Sequence, residues 1–249
     1  MKLDRVIAVR NNKTVYRDGD ECIKVFDSTY SQADVLSEAL NQSRAAATGL
    51  NVPRIISVTA VDGKSAIAME YVKGKSLARL IEENPSESER YIEYLVDLQL
   101  QVHSKDSGPF NSMKDKLKVK IGQAEIDSAT KDRLYAQLDI MPEHTKLCHG
   151  DFIPSNVIVS DGGDPYIIDW AHVARGNASA DAARTYFRLL LDGSTELAEK
   201  YLNLFCEKSN TDEQYVRQWM PIVAASHSVK GNEKERKFLL SQINNVENE

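Results

Sequence analysis

One stretch restricts the fold of this chain more than any other: Leu147-Cys148-His149-Gly150-Asp151-Phe152-Ile153-Pro154-Ser155-Asn156-Val157-Ile158-Val159. Its apolar ends read as short buried strands, and the polar loop between them carries His149, Asp151 and Asn156. A second apolar run, Tyr166-Ile167-Ile168, then delivers Asp169-Trp170. Taken singly, an H-x-D triplet or an aspartate after a strand is ordinarily a turn or a cap. The combination is far more specific, because two strand ends present two carboxylates and an amide at fixed spacing.

The catalytic loop of protein kinases reads H-R-D-x-x-x-x-N and is followed by an aspartate that binds metal. Here the same frame is H-G-D-x-x-x-x-N, from His149 to Asn156, and then Asp169. On these residues the chain resembles the aminoglycoside phosphotransferase and choline kinase family, the small-molecule relatives of the protein kinases. The resemblance implies an α+β, two-lobed kinase-like fold. A small antiparallel-sheet lobe with one main helix, residues 1–72, would precede a larger, mostly helical lobe, residues 73–249. It also implies roles. Asp151 faces the attacking hydroxyl as the catalytic carboxylate, Asp169 binds Mg²⁺, and His149 orients the loop without reacting. Mg²⁺ takes oxygen ligands, so the amide oxygen of Asn156 suits a further metal position.

Length and composition agree with this and exclude other classes. A chain of 249 residues can bury a sizeable core. No apolar run reaches the ~20 residues needed to span a bilayer, and Met1-Lys2-Leu3-Asp4-Arg5 does not read as a secretory signal, so a cytoplasmic protein without a membrane partner is expected. Cys22, Cys148 and Cys206 are odd in number and widely spaced, which suggests neither a disulfide framework nor a zinc site. The formal charge of −6 argues against a nucleic-acid partner and is compatible with a cationic small molecule.

Along the first lobe, Arg5 to Val9, Thr14 to Arg17 and Glu21 to Phe26 read as strands, the last two joined by the turn Asp18-Gly19. Asp62-Gly63 repeats the device between Arg54–Val61 and Ser65–Glu70. Between the hairpins a helical pattern runs from Gln32 to Thr48 and is closed by Gly49. By resemblance Lys24, in Cys22-Ile23-Lys24-Val25, reaches the phosphates of ATP and is held extended by Glu38, with Asp34 as a rival one turn earlier. Cys22 reads as packing. The kinase glycine-rich loop is absent, and Arg10-Asn11-Asn12-Lys13 stands in its place. Met69-Glu70-Tyr71-Val72-Lys73-Gly74 resembles a kinase hinge, in which main-chain groups of Glu70 and Val72 bind adenine. Gly74 there reads as the turn into the second lobe.

The remainder is mainly helical. Ser76 to Glu83, Ser88 to His103, Lys114 to Ile121, Ser128 to Leu138, Ser194 to Ser209, Thr211 to Ser228 and Asn232 to Ile243 carry helical periodicity, with Pro221 inside the sixth. The helices at Lys114 to Ile121, which is basic, and Ser128 to Leu138 read as solvated faces, although by resemblance insertions in this region shape the acceptor pocket. His103 reads as a cap or core contact, Trp219 as a core aromatic, and Glu233 and Glu235 as solvated acids. Asp181-Ala182-Ala183-Arg184 resembles the D-x-x-R of aminoglycoside kinases, whose aspartate braces the catalytic loop.

The resulting expectation is a Mg²⁺-dependent phosphotransferase that moves the γ-phosphate of ATP (or GTP) to a hydroxyl of a small molecule, aminoglycoside-like, with choline, ethanolamine or a sugar as rival acceptors. A protein substrate is disfavoured, because Trp170-Ala171 replaces Phe-Gly and no A-P-E follows. A nucleotide-binding regulatory module fits less well, because it has no chemical need of Asp151. A metal-dependent hydrolase would call for more histidines near His149.

Overall fold

The computed structural model describes residues 3, 5–10 and 12–243. They form two compact units, Met1–Leu80 with Ser155–His172, and Ile81–Pro154 with Val173–Glu249.

The first unit is built on a five-stranded antiparallel sheet. Its strands are β1 (Arg5–Arg10), β2 (Lys13–Asp18), β3 (Glu21–Phe26), β4 (Ile55–Val61) and β5 (Lys64–Glu70), in the order β1-β2-β3-β5-β4. The two Asp-Gly turns form as their chemistry requires: Gly19, Asp62 and Gly63 all have positive φ. Helix α1 (Gln32–Ala47) starts at Ser31, whose hydroxyl accepts the Asp34 amide, and ends before Gly49 at φ 82°. Phe26, Ile67 and Met69 of the sheet pack with Val35 and Ala39 of α1. Because side chains alternate along a strand, Cys22, Lys24 and Phe26 share one face of β3, and Lys24 therefore emerges among the residues that meet α1.

Strand β6 (Gly74–Ser76) leads into α2 (Leu77–Glu83) and pairs with β8 (Val157–Ser160), which pairs in turn with β9 (Pro165–Ile167); β7 (Lys146–Cys148) precedes them in the chain. Gly74 has an ordinary φ, so its role is not the turn expected from sequence. A Cβ at this position would lie 2.1 Å from the Val159 carbonyl oxygen, and close approach of β6 to β8 demands glycine. Gly74→Ala should therefore separate these strands and destabilise the protein by about 2 kcal/mol or more. The check is thermal unfolding, where a melting temperature within a degree of wild type would refute the requirement.

The second unit is helical. It contains α3 (Ser88–His103), α4 (Met113–Gln123), α5 (Ser128–Ile140), α6 (Ala178–Leu191), α7 (Thr195–Ser209), α8 (Glu213–Ser228) and α9 (Glu233–Ser241). β7 pairs with β10 (Ala174–Gly176). Phe152, Phe187, Tyr201, Phe205 and Trp219 are fully or almost fully buried. Trp219 is thus a core aromatic, and Pro221 lies inside α8. Glu233 pairs with Lys237 one turn on. No described helix is long and apolar enough to cross a membrane.

Candidate active site

In the first unit the sequence-predicted residues Lys24, Glu38 and Asp169 form one ion cluster. Lys24 Nζ donates to Glu38 Oε1 and to Asp169 Oδ1, the latter at 3.4 Å. Lys24 and Glu38 are both buried. Asp34 is not the partner of Lys24, because its amide and carboxylate are engaged with the Ser31 hydroxyl at the start of α1. Burial alone would lower the Lys24 pKa, but Asp169 and Glu38 outweigh it and raise it above the usual lysine range.

Lys13 completes the cluster. Its Nζ lies 3.1 Å from Asp169 Oδ2 and 3.3 Å from Oδ1. It opens β2, in the segment that replaces the glycine-rich loop, and stands opposite Arg10 across the β1–β2 turn. Asn12 is described and accepts the Asp27 amide at 3.0 Å through its carbonyl; Asn11 lies outside the described residues. Burial pushes the Asp169 carboxyl up, yet Lys24 and Lys13 together hold it far below the usual carboxylate range. The backbone at Asp169 is left-handed, at φ 64°, a conformation that few residues other than glycine, asparagine and aspartate adopt readily. The turn is held from behind by the buried Trp170, whose indole N–H donates to the Ile167 carbonyl at 2.9 Å. Asn156, also buried, accepts the Ile168 amide at 2.9 Å through its carbonyl, which ties it to the strand ending at Asp169.

The hinge residues are placed by the end of β5. The Glu70 amide donates to the Arg54 carbonyl and the Tyr71 amide to the Asp20 carbonyl, both at 2.9 Å. The Glu70 side chain is exposed and Val72 is half-buried. Cys22 packs against the sheet–helix core, and burial pushes its thiol up, in keeping with a packing role.

In the second unit the loop at His149-Gly150-Asp151 is supported from α6. The buried Asp181 accepts the Gly150 amide at 2.7 Å, the His149 amide at 3.2 Å, His103 Nε2 at 3.0 Å and Gln99 Nε2 at 3.2 Å. Burial would raise its pKa, but the His103 and backbone donors lower it. Gly150, at φ 78°, takes the left-handed turn that aims its amide at Asp181. His149 is buried, and its Nδ1 accepts the Asp151 amide at 3.2 Å. The ring is thus spent on shaping the loop. Asp151 is partly exposed, and its Oδ1 lies 3.5 Å from Arg184 Nη2 and 3.8 Å from Arg188 Nε. His103 is the core contact expected of it.

Sequence reasoning missed four participants. Lys13 was visible only as a possible extra charge, because its partner is distant in the chain. Arg188 stands four residues after Arg184, so helical spacing was the available signal. On α4, Lys116 and Lys120 are half-buried rather than solvated, and their four-residue spacing places them on one face.

In the first unit, Lys13 and Lys24 place fixed ammonium groups beside the Asp169 carboxylate; in the second, Asp151 presents a partly exposed carboxylate. No curated protein matches the sequence significantly. Among solved structures, the aminoglycoside phosphotransferase APH(4)-Ia, in ternary complex with AMP-PNP and hygromycin B, is 14% identical, covers 97% of this chain and 91% of its own, and has a TM-score of 0.73. A choline/ethanolamine kinase family protein from Mesorhizobium loti is 14% identical over 100% of this chain and 89% of its own, with a TM-score of 0.65. Choline kinase LicA from Streptococcus pneumoniae is 12% identical over 97% and 93%, with a TM-score of 0.63. The fold is therefore the protein-kinase-like fold of these enzymes. The sequence itself matches the family model over residues 5–219, spanning both the lysine cluster and the catalytic loop, and the chain belongs to the phosphotransferase enzyme family.

Proposed function

We propose that the protein transfers the γ-phosphate of ATP or GTP to a hydroxyl group of a small molecule. The observation that carries this reading is the buried cluster in which Glu38 holds Lys24 and both lysines meet Asp169. Lys24 binds the nucleotide phosphates, and Glu38 keeps it extended. The hinge binds adenine through the Glu70 carbonyl and the Val72 amide; the Glu70 amide is already engaged by Arg54. Asn156 and Asp169 would hold Mg²⁺, and their oxygen-only donor set, with a carboxyl that stays ionised, fits that ion. When bound, the ion supplies neutralising charge between the phosphates.

Asp151 orients the acceptor hydroxyl and takes its proton as the acceptor oxygen bonds to phosphorus. The bond from the γ-phosphorus to the bridging oxygen breaks, leaving the nucleoside diphosphate. Asp181 acts through the loop by fixing the His149 and Gly150 amides. Free cysteines and consumption of a nucleoside triphosphate suit a cytoplasmic location.

The reading is tested by calorimetry with AMP-PNP. Wild type should bind the nucleotide only with Mg²⁺ present, and Lys24→Met should weaken binding about 10- to 100-fold, the worth of one charged hydrogen bond. Equal affinity in the variant, or binding indifferent to the metal, would overturn it.

A further inference from the structure

Around Asp151, in the second unit, cations outnumber acids. Arg184 and Arg188, one turn apart on α6, both approach the same carboxylate oxygen. Lys116 and Lys120, one turn apart on α4, face Arg184. Lys230, just beyond α8, acts on Lys120 as well. The acids that meet this group are few and largely committed. Asp151 is the reacting carboxylate, Asp181 is spent on the loop amides and His103, and Asp192, after α6, lies by Arg188 and interacts with Glu235 of α9.

The cations are poorly satisfied by the protein. The Nε atoms of Arg184 and Arg188 are buried with no hydrogen-bond acceptor among the described residues. Among the described residues Lys116 has only a neutral partner, the Val173 carbonyl, to which it donates at 2.7 Å. Burial, and then repulsion from Arg184, Lys230 and Lys116, brings the Lys120 pKa down to about 7 despite the attraction of Asp151. Half-buried like charges without counter-charges are costly, and an anion placed among them relieves both the repulsion and the unmet hydrogen bonding. A polycation such as an aminoglycoside, or a quaternary amine, would be repelled at the same place. The overall charge of −6 is no guide here, because local sign decides what docks beside Asp151.

We propose that the acceptor alcohol is itself an anion, a small hydroxylated molecule whose carboxylate or phosphate group is held by Lys116, Lys120, Arg184 and Arg188 beside Asp151. This rests on the phosphotransferase reading of Asp151. It is opposite in charge to the cationic small molecule with which the overall charge alone is compatible.

The test is calorimetric titration of protein saturated with Mg²⁺ and AMP-PNP, so that the lysines of the first unit are already occupied. The probes are gluconate, glucose 6-phosphate, glucose, kanamycin and choline. At least one of the two anionic probes should bind more tightly than glucose, and the tighter of them identifies the charged group as carboxylate or phosphate. Lys120→Met and, separately, Arg188→Gln should weaken that probe about tenfold or more, the worth of a charged hydrogen bond, while Lys120→Met leaves AMP-PNP affinity unchanged. Removing a repelled cation should not impair folding, so Lys120→Met keeps the test readable. The proposal is overturned if kanamycin, choline or glucose binds more tightly than both anionic probes. It is equally overturned if both variants bind the anionic probe like wild type, or if Lys120→Met weakens AMP-PNP instead, which would assign the cluster to the nucleotide. Failure of wild type to bind AMP-PNP is a different result and counts against the phosphotransferase reading.

Discussion

Asp169→Asn should lower phosphoryl transfer by about 10³-fold or more, since metal-borne charge stabilisation is worth several kcal/mol. Asparagine is the informative replacement because the position has φ 64°. Asparagine tolerates that backbone, whereas alanine would add strain to the loss of charge. The amide keeps an oxygen but not the negative charge that meets Lys13 and Lys24. Lys24 retains Glu38, so the fold should persist, and circular dichroism checks this. The carboxyl ionises far lower in the folded protein than in an unfolded chain. A depressed carboxylate contributes stability above its unfolded pKa of about 4 and loses it only as pH falls through the lower folded value. Asp169 should therefore leave no limb in the rate profile between about pH 5 and 9. The measurement is turnover against Mg²⁺ and pH; a variant that retains wild-type turnover would remove Asp169 from the mechanism.

Asp151→Asn should lower turnover by about 10²–10⁴, the usual contribution of a positioned general base, while nucleotide affinity stays within about twofold. Two guanidinium groups and the His149 ring fix this residue, so the substitution keeps its size and removes its ability to accept a proton. Single-turnover kinetics separates the chemical step from binding and release. Unchanged single-turnover rates would exclude Asp151 as base. A loss of nucleotide affinity equal to the loss of rate would mean that it acts in binding instead.

Much of this was legible in the residues because the informative patterns are local. Glu21–Phe26 and Ser88–His103 follow their periodicity to the residue, and the Asp-Gly turns announce both hairpins. Glu38 prevailed over Asp34 for a reason also local in origin, since Ser31 needs a partner three residues on. What escaped is what the tertiary structure decides. The helix Ala178–Leu191 carries Asp181, Arg184 and Arg188 at helical spacing, but most of its positions are buried, and what those polar residues meet is set by distant parts of the chain. Strands of three residues, such as Gly74–Ser76, are too short to alternate visibly. The partners Lys13–Asp169 are 156 residues apart, and no spacing rule connects them.

Helix α6 distributes its polar side chains along its length. Asp181, in its first turn, holds the loop amides, whereas Arg188, near its end, approaches the Asp151 carboxylate. On the proposed reading, support and selectivity are thus separable by position. Substitution in the final turn would then retune which alcohol is admitted without loosening the scaffold beneath it.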